Sequence, residues 1–157
     1  MNNIDFYHNK VNQWLESYDI KFKHMIFDKS CHSVEEAVIS SGEPIEFIVK
    51  SICMIDDNNN LIVAIVSGND RASTSRVVKA LNIDKPRVAH LNEVLEKTGF
   101  PAGGVPSFSY NAIFVVDSKV SEKEYVLTGG GSEFSLIKIR VLDLIELNNA
   151  NIARIRK

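Results

Sequence analysis

The sequence predicts an α/β (α+β) fold, in which a mixed, largely antiparallel sheet curls toward a barrel and is flanked by helices. Strand-like and helix-like segments interleave along the chain without a strict βαβ period. Hydrophobic residues make up 45% of the 157 residues and charged residues 24%, which is typical of globular proteins. Because a chain of this length can bury its own core, we expect a single domain over residues 1–157.

The first elements are predicted from apolar spacing and capping residues. Apolar side chains at helical spacing predict an amphipathic helix over residues 4–18. Alternation of polar and apolar residues predicts a strand over residues 21–27. Ser33 and Glu36 form the signature of a capping box, which opens a short helix that Gly42 can end.

A β-hairpin is predicted next. Residues 50–55 are rich in β-branched side chains, residues 56–60 form a polar turn, and residues 61–66 are apolar throughout. The second strand is far shorter than the roughly 20 residues that span a bilayer, and the N-terminal residues lack a secretory signal. We therefore expect a soluble, cytoplasmic protein without a membrane partner.

Helical spacing and chain breakers organise the second half of the chain. Residues 74–81 and 91–98 are predicted helices, and Gly99 ends the second one. The remaining predictions are strands over residues 112–117, 125–127 and 135–140 and a terminal helix over residues 141–147.

The charge of the chain does not indicate an electrostatic nucleic-acid binder. A formal net charge of -2 lacks the basic excess that proteins binding phosphates usually show, so any RNA contact must be local. The most basic segment ends the chain with Arg154, Arg156 and Lys157. For these residues a solvated helix end is favoured over an RNA contact, because cations suit a helix C-terminus.

Lys50 is the first candidate for a functional residue. It lies inside a stretch that otherwise resembles a buried strand. A lysine in such a place snorkels outward, pairs with a carboxylate or faces a cleft that binds an anion. Position alone favours snorkelling.

A loop rich in glycine and proline over residues 99–108 is the second candidate. Its paired Gly103 and Gly104 could bring bare backbone N–H groups close to a ligand and hold a carbonyl oxygen or an oxyanion. Taken alone, such a cluster more often indicates a tight turn.

Two shorter segments are further candidates. Residues 128–132 lack the pattern of a phosphate-binding P-loop. Two interpretations of this segment are equally favoured, a flexible hairpin turn and a wall that faces a ligand. Residues 67–71 follow a predicted strand directly, and their composition favours a surface turn.

The sequence predicts no metal site and no cysteine chemistry. The histidines carry no HExxH motif, and the carboxylates show no metal-loop spacing. The histidines are His8, His24, His32 and His90. Cys31 and Cys53 are predicted to be free thiols. A dyad of Cys31 with its neighbour His32 is not expected, because adjacent residues seldom point at each other.

Taken in order, these motifs resemble the YbaK/ProX family of aminoacyl-tRNA deacylases, which is related to the editing domain of some bacterial prolyl-tRNA synthetases. Each motif is weak alone, but their order along roughly residues 33–147 is specific. The stretches that carry the resemblance are residues 33–37, 48–51, 62–68, 98–105 and 115–117, with Gly129 and Gly130.

The resemblance implies hydrolysis of mischarged aminoacyl-tRNA, of the tRNA(Pro) type and carrying a small wrong amino acid such as Ala or Cys. In this reaction Lys50 would bind the terminal phosphate or the oxygens of the substrate. Gly103 and Gly104 would stabilise the oxyanion that forms from the substrate carbonyl. The implied partners are the acceptor end of the tRNA and an aminoacyl-tRNA synthetase, with no metal or cofactor. The implied substrate-binding residues are Val105, Pro106, Ser107, Ser67, Gly68, Gly129 and Gly130.

The chain departs from the family at two positions of the glycine loop. Many relatives continue it as Gly-Gly-Val-x-Pro-Phe-Gly, whereas Ser107 stands here for that proline and Ser109 for the second glycine. An added hydroxyl could recognise a polar group, and the loss of proline would loosen the wall. Two other hypotheses stay open: a non-catalytic tRNA- or aminoacyl-binding module of the same fold, and a small-ester hydrolase. Asp117 is more typical of a turn cap than of a catalytic group.

Overall fold

A computed structural model of the chain describes residues 3–157. Its helices are α1 (Asn3–Glu16), α2 (Val34–Ser41), α3 (Thr74–Leu81), α4 (Leu91–Thr98), α5 (Ser118–Ser121) and α6 (Val141–Asn148). Its strands are β1 (Phe22–Ile26), β2 (Val49–Ile55), β3 (Leu61–Ser67), β4 (Arg87–Val88), β5 (Ile113–Asp117), β6 (Tyr125–Gly129), β7 (Ser135–Arg140) and β8 (Asn151–Ala153). A 3-10 turn over Ile45–Phe47 precedes β2.

The strands form two sheets. One is antiparallel with the order β1-β7-β6, and the other has the order β4-β2-β3-β5-β8. In the second sheet β2 and β3 form the predicted antiparallel hairpin, whereas β5 and β8 run parallel to their neighbours. The sheets meet where Ile48 bridges Leu127 of β6. The predicted mixed, largely antiparallel sheet flanked by helices is confirmed, and it stays open.

The hydrophobic core is organised by β3, which is buried at every residue. Because successive side chains of a strand point to opposite faces, Val63 and Ile65 join one buried cluster with Phe108. Ile62 and Ala64 join another on the other face. Burying a valine or isoleucine side chain fully contributes about 1.5 to 3 kcal/mol to the free energy of folding. The buried strand β3 is therefore held firmly in the core, and β2 pairs with it along its whole length.

The predicted local signals at α2 are confirmed. The Glu36 N–H donates to the Ser33 hydroxyl oxygen over 3.1 Å, and the Ser33 N–H donates to the Glu36 carboxylate over 3.2 Å. Gly42 ends the helix with a left-handed φ of 72°, a conformation that costs glycine little. Both ends of α2 are thus set by sequence-local interactions.

The sequence did not reveal every element. The short elements β4, α5 and β8 were missed, and β6 continues through Thr128 and Gly129, where a turn was predicted. The prediction of a solvated helix end for the basic tail was wrong. Residues 151–153 instead form a strand that runs parallel to β5, and Ile155 is fully buried.

Asp117 holds this tail in place. Its fully buried carboxylate accepts hydrogen bonds from the backbone N–H of Ile155 (2.9 Å) and from the Arg156 guanidinium (2.9 Å). It also caps α5 by accepting from the Lys119 N–H. Burial alone would raise the pKa of Asp117, but the bonds from Ile155 and Arg156 outweigh it and lower that pKa. The interpretation of Asp117 as a cap is confirmed.

Replacing Asp117 by alanine should lower the free energy of unfolding by about 3 kcal/mol or more, because the substitution removes the buried acceptor of a guanidinium and several N–H groups. Denaturant unfolding measures this loss. Glu146→Ala, at an exposed position, is the control and should change stability by at most about 0.5 kcal/mol.

The pH dependence of this difference has a definite sign. Because the pKa of Asp117 is lowered in the folded state, its contribution is complete above an unfolded-state pKa of about 3.9 and disappears only as pH falls through the folded-state value. Equal free energies of unfolding for wild type and Asp117→Ala at neutral pH would contradict the anchoring role of Asp117.

Candidate functional site

A cleft of about 300 Å³ opens along one edge of β2. β4 pairs only with Met54 and Ile55, and β6 reaches the start of β2 only at Ile48. Among the described residues, the intervening part of β2 therefore has no strand beside it on this edge, whereas β3 pairs with its other edge. The other lining residues belong to the start of α2, the glycine loop (residues 102–105), the first residue of the glycine turn (residues 129–132), and the elements β4, α4 and β7.

Ser51 presents its backbone to this cleft. The Gly68 N–H donates to the Ile48 carbonyl across the hairpin over 2.6 Å, whereas the Ala89 N–H donates to the Cys53 carbonyl on the opposite edge over 3.0 Å. Even-numbered residues of β2 thus bond to β3, and odd-numbered residues point their N–H and C=O groups to the cleft edge. Among the described residues, the N–H and carbonyl of Ser51 have no strand partner there.

The Ser51 hydroxyl is oriented by a chain of buried hydroxyls. Ser107 Oγ lies 3.0 Å from Ser51 Oγ and 2.7 Å from Thr128 Oγ1, and both Ser107 and Thr128 are fully buried. Within the described chain, the Thr128 hydroxyl has no other partner. A buried donor left without an acceptor costs about 1 to 3 kcal/mol. Thr128 therefore donates to Ser107 and Ser107 to Ser51, which leaves the Ser51 hydrogen for a ligand.

Lys50 lines the same cleft from the other face of the strand. Its Nζ donates to the backbone carbonyl of Asp70. Burial lowers the pKa of Lys50, and the nearby Arg71 lowers it further, whereas Asp70 and Glu35 raise it. The lysine is half-buried at the cleft rather than extended into bulk water.

The glycine loop and the glycine turn pack backbone against backbone. The Gly131 N–H donates to the Gly104 carbonyl over 2.8 Å. A Cβ atom on Gly104 would lie 2.5 Å from the Ser132 nitrogen, and one on Gly129 would lie 2.7 Å from the Val105 carbonyl carbon. Only glycine allows this approach, so the two segments form one continuous wall.

The two predicted oxyanion donors differ in this wall. The Gly104 N–H donates to the Pro101 carbonyl over 3.0 Å and is committed to the loop. Gly103 lines the cleft, and its N–H has no partner among residues 3–157. Of these two amides, only that of Gly103 is not already engaged within the described chain.

The other predicted residues of this wall divide into lining and supporting positions. Val105 and Gly129 line the cleft. Pro106 and Ser107 are buried behind the glycine loop. Gly130 lies behind the cleft, where a Cβ atom would come within 2.6 Å of Ser135 Oγ.

Ser67 and Gly68 lie outside the lining of the cleft and support it. The Ser67 hydroxyl is buried and donates to the Glu46 carbonyl over 2.7 Å. A Cβ atom on Gly68 would lie 2.7 Å from Val34 Cγ1. The Asp70 N–H donates to the Ser67 carbonyl over 3.0 Å, which forms the predicted turn and presents the carbonyl that Lys50 binds.

His32 and Cys31 line the mouth of the cleft, a position that no sequence motif indicated. A Cβ atom on Gly103 would lie 2.2 Å from His32 Nδ1, which is itself 3.8 Å from the Glu133 carboxylate. Burial, with smaller contributions from Glu36 and Glu133, raises the pKa of Cys31 to about 11. The thiol is therefore protonated at neutral pH, which argues against a cysteine nucleophile.

Two histidines that are distant in the sequence lie behind the glycine turn. The rings of His8 and His24 meet edge to face with centroids 5.0 Å apart. His8 Nε2 lies 2.7 Å from the Ser132 hydroxyl, and His24 Nδ1 lies 2.7 Å from the Asn12 side chain. Burial and the neighbouring His8 lower the pKa of His24 to about 4. This pair is a neutral support of the wall at physiological pH.

Two features are absent from the part of the chain that the structure describes. No three side chains of His, Cys, Asp or Glu there gather closely enough to hold a metal ion. None of its helices has the length and apolar character that crossing a membrane requires.

Residues 28–147 match the family model of the aminoacyl-tRNA editing domain. The chain belongs to this family. The matched range contains every wall of the cleft and confirms the resemblance to the YbaK/ProX deacylases. Residues 148–157, which include β8, lie outside it.

Similar proteins cover nearly the whole chain. The uncharacterised protein YwhH of Bacillus subtilis (strain 168) is 25% identical over 138 residues, which are 87% of this chain and 85% of YwhH. The solved structure of the hypothetical protein APE2540 is 28% identical with a TM-score of 0.86, covering 94% of this chain and 99% of that one. A proposed trans-editing enzyme for prolyl-tRNA synthetase is 25% identical with a TM-score of 0.87, covering 96% and 97%.

The two departures from the family pattern, at Ser107 and Ser109, have different consequences. The wall at Ser107 is held by hydrogen bonds, because the Asn148 side-chain amide donates to its carbonyl over 2.9 Å in addition to the hydroxyl chain. Ser109 adopts a φ of 82°, a conformation that favours glycine. Its hydroxyl oxygen is buried without a partner among the described residues. Ser109 is therefore a strained position.

Ser109→Gly should raise the free energy of unfolding by about 1 kcal/mol. It removes left-handed strain of about 1 to 2 kcal/mol and an unpaired buried hydroxyl, partly offset by the greater flexibility of glycine in the unfolded chain. Ser121→Gly in α5, where the hydroxyl donates to the Ser118 carbonyl over 2.6 Å, is the matched control and should lower stability. Thermal unfolding measures both, and a destabilised Ser109→Gly would contradict the strain.

Proposed function

We propose that this protein is an aminoacyl-tRNA deacylase that hydrolyses the ester between a wrong amino acid and the terminal adenosine of tRNA. The observation that carries the proposal is the convergence of Lys50, Ser51 and Gly103 on one cleft, in a chain of the aminoacyl-tRNA editing family. We propose a cytoplasmic location with it, because tRNA is charged there.

Each group of the cleft has a role that suits its chemistry. The Gly103 N–H and the Ser51 hydroxyl donate to the ester carbonyl oxygen, where negative charge develops when the carbonyl carbon is attacked. The Ser51 carbonyl accepts from the α-ammonium group of the amino acid. The Lys50 ammonium binds the phosphate of the terminal adenosine, since a compact cation suits a phosphate oxygen.

The reaction needs only water as a second reactant. The water oxygen bonds to the ester carbonyl carbon, the bond from that carbon to the ribose oxygen breaks, and a water proton ends on the ribose oxygen. The products are the free amino acid and uncharged tRNA. We assign the proton relay to the neighbouring ribose hydroxyl of the substrate, because the Cys31 thiol, with a pKa of about 11, is already protonated at neutral pH and cannot accept the proton.

For the substrate we infer a small amino acid on a tRNA of the proline type. A volume of about 300 Å³ is at the lower limit of small-molecule sites, and apolar side chains such as Val88, Val94 and Leu136 line it. Ala and Cys fit that space. The solved relative proposed to act in trans for prolyl-tRNA synthetase supports the tRNA and the synthetase partner.

Lys50→Ala should lower kcat/KM on mischarged tRNA by about 100-fold, the effect typical of removing one electrostatic stabiliser. Release of labelled amino acid from Ala-, Cys- and Ser-tRNA(Pro) measures the rate. Lys85→Ala removes an exposed lysine outside the cleft and should leave the rate unchanged. Because the pKa of Lys50 is lowered, the wild-type advantage should decline as pH rises through a value below the usual lysine pKa of about 10.4.

The outcomes separate the three functional hypotheses. If none of the tRNAs is hydrolysed but uncharged tRNA binds, the chain is a binding module. If aminoacyl-adenosine is hydrolysed as fast as the tRNA, the chain is a small-ester hydrolase. If wild type and Lys50→Ala hydrolyse tRNA equally, the role of the lysine is wrong.

Ser51→Ala should lower kcat/KM by about tenfold or more, since it removes the hydroxyl donor of the cleft edge. Thr128→Val should reproduce part of this loss, because Ser51 can then turn its hydrogen toward Ser107. Thr128→Ser retains the donor and is the matched control. Equal activities of Thr128→Val and Thr128→Ser would contradict the assigned direction of the hydroxyl chain.

A further inference from the structure

The tail beyond α6 pairs with the segment that follows β3. The Ser73 N–H donates to the Ile155 carbonyl over 2.6 Å, and the Lys157 N–H donates to the Arg71 carbonyl over 2.8 Å. Ala72 and Arg156 form an antiparallel bridge between these bonds. Arg71 and Lys157 therefore stand directly opposite each other.

This pairing brings two exposed cations together. We define the tail surface as Arg71 and Lys157, both of which are exposed. Within residues 3–157, neither of these side chains has an ion pair or a hydrogen bond. The nearby carboxylates are occupied, because Asp70 pairs with Lys119 at 3.0 Å and Asp117 with Arg156 at 2.9 Å. Like charges directly opposite each other destabilise a strand pair, which an anion between them would relieve.

The tail surface borders the cleft. Lys50 donates to the carbonyl of Asp70, the residue before Arg71. The charge of Arg71 reaches the ammonium closely enough to lower its pKa, second only to burial as a cause. A chain of phosphates that leaves the cleft at Lys50 would next meet Arg71 and Lys157.

We propose that the tail surface binds the phosphate backbone of the tRNA acceptor stem beside the cleft. This inference rests on the proposed function, because the substrate in the cleft must be attached to RNA. It reverses the expectation for the basic tail and reconciles RNA binding with a net charge of -2, since the cations are concentrated beside the site. Arg and Lys side chains that contact phosphates supply most of the salt-dependent affinity of such complexes.

A second basic surface on the three-stranded sheet is a weaker candidate. It contains Lys21, Lys23, Lys138 and Arg140. Two of these are neutralised, because Lys138 pairs with Glu43 at 3.4 Å and Arg140 with Asp143 at 3.1 Å. Lys21 and Lys23 therefore provide a matched control of two exposed lysines on the other sheet.

The test compares the double variant Arg71→Glu/Lys157→Glu with Lys21→Glu/Lys23→Glu. Each is assayed on full-length mischarged tRNA and on aminoacyl-adenosine, which lacks the stem. The tail variant should lose about tenfold or more in kcat/KM on tRNA and nothing on aminoacyl-adenosine, whereas the control should retain both activities. For binding of an uncharged acceptor-stem minihelix, the slope of log K against log salt should become shallower by about 2. The neutral pair Arg71→Gln/Lys157→Gln should be intermediate.

Three outcomes overturn the inference. Equal losses in the tail and control variants would indicate a diffuse charge effect, and equal losses on both substrates would indicate damage to the cleft. Unchanged tRNA turnover in the tail variant would exclude the surface. If wild type hydrolyses neither substrate, the proposed function fails, and minihelix binding decides alone: loss in the tail variant supports the surface, and retention excludes it.

Discussion

The unpaired edge of β2 is the constraint on which the site depends. β4 is only two residues long and pairs only with the end of β2, while β6 bridges the chain only at Ile48, so the sheets diverge between these points. The opening exposes N–H and C=O groups that would be hydrogen-bonded to a neighbouring strand in a complete sheet. It also explains why Lys50 and Ser51 can serve one ligand although adjacent side chains of a strand point to opposite faces. Only at an edge can a ligand reach both faces.

The glycines close this edge from the opposite side. Gly104 and Gly129 let the loop and the turn approach backbone to backbone, and the bond from Gly131 to Gly104 locks the contact. Gly103 lines the cleft, and its N–H has no hydrogen-bond partner among the described residues, whereas the Gly104 N–H donates to the Pro101 carbonyl. The wall is thus tightly packed where the loop meets the turn, and it leaves one N–H group, that of Gly103, for a ligand. Such preorganised donors cost little reorganisation when charge develops on a bound carbonyl oxygen.

The sequence predicted what nearby residues determine and missed what distant residues determine. The capping box at Ser33, the stop at Gly42 and the central hairpin depend on neighbours in the chain, and all three are confirmed. The strand β8 depends on Asp117, which lies more than thirty residues earlier, so a basic tail looked like a helix end. His32 carried no signal because its proximity to Gly103 exists only in the folded chain. Ser51 was part of a recognised motif, but only the strand register shows that it faces the cleft.

Ser107 connects the supporting wall to the edge of the cleft through hydrogen bonds. A proline there would restrict φ and fill space, but it could not relay a hydrogen bond. The Ser107 hydroxyl passes the hydrogen bond of Thr128 on to Ser51, while Asn148 holds its carbonyl. A hydrophobic pocket separates two ligands that differ by one methylene by only about 1 to 3 kcal/mol. A site built to donate a hydrogen bond discriminates far more strongly against a ligand that lacks the acceptor. Under the proposed function, this donor selects for the ester carbonyl oxygen that all aminoacyl-tRNAs share, and discrimination among amino acids is left to the size of the side chain.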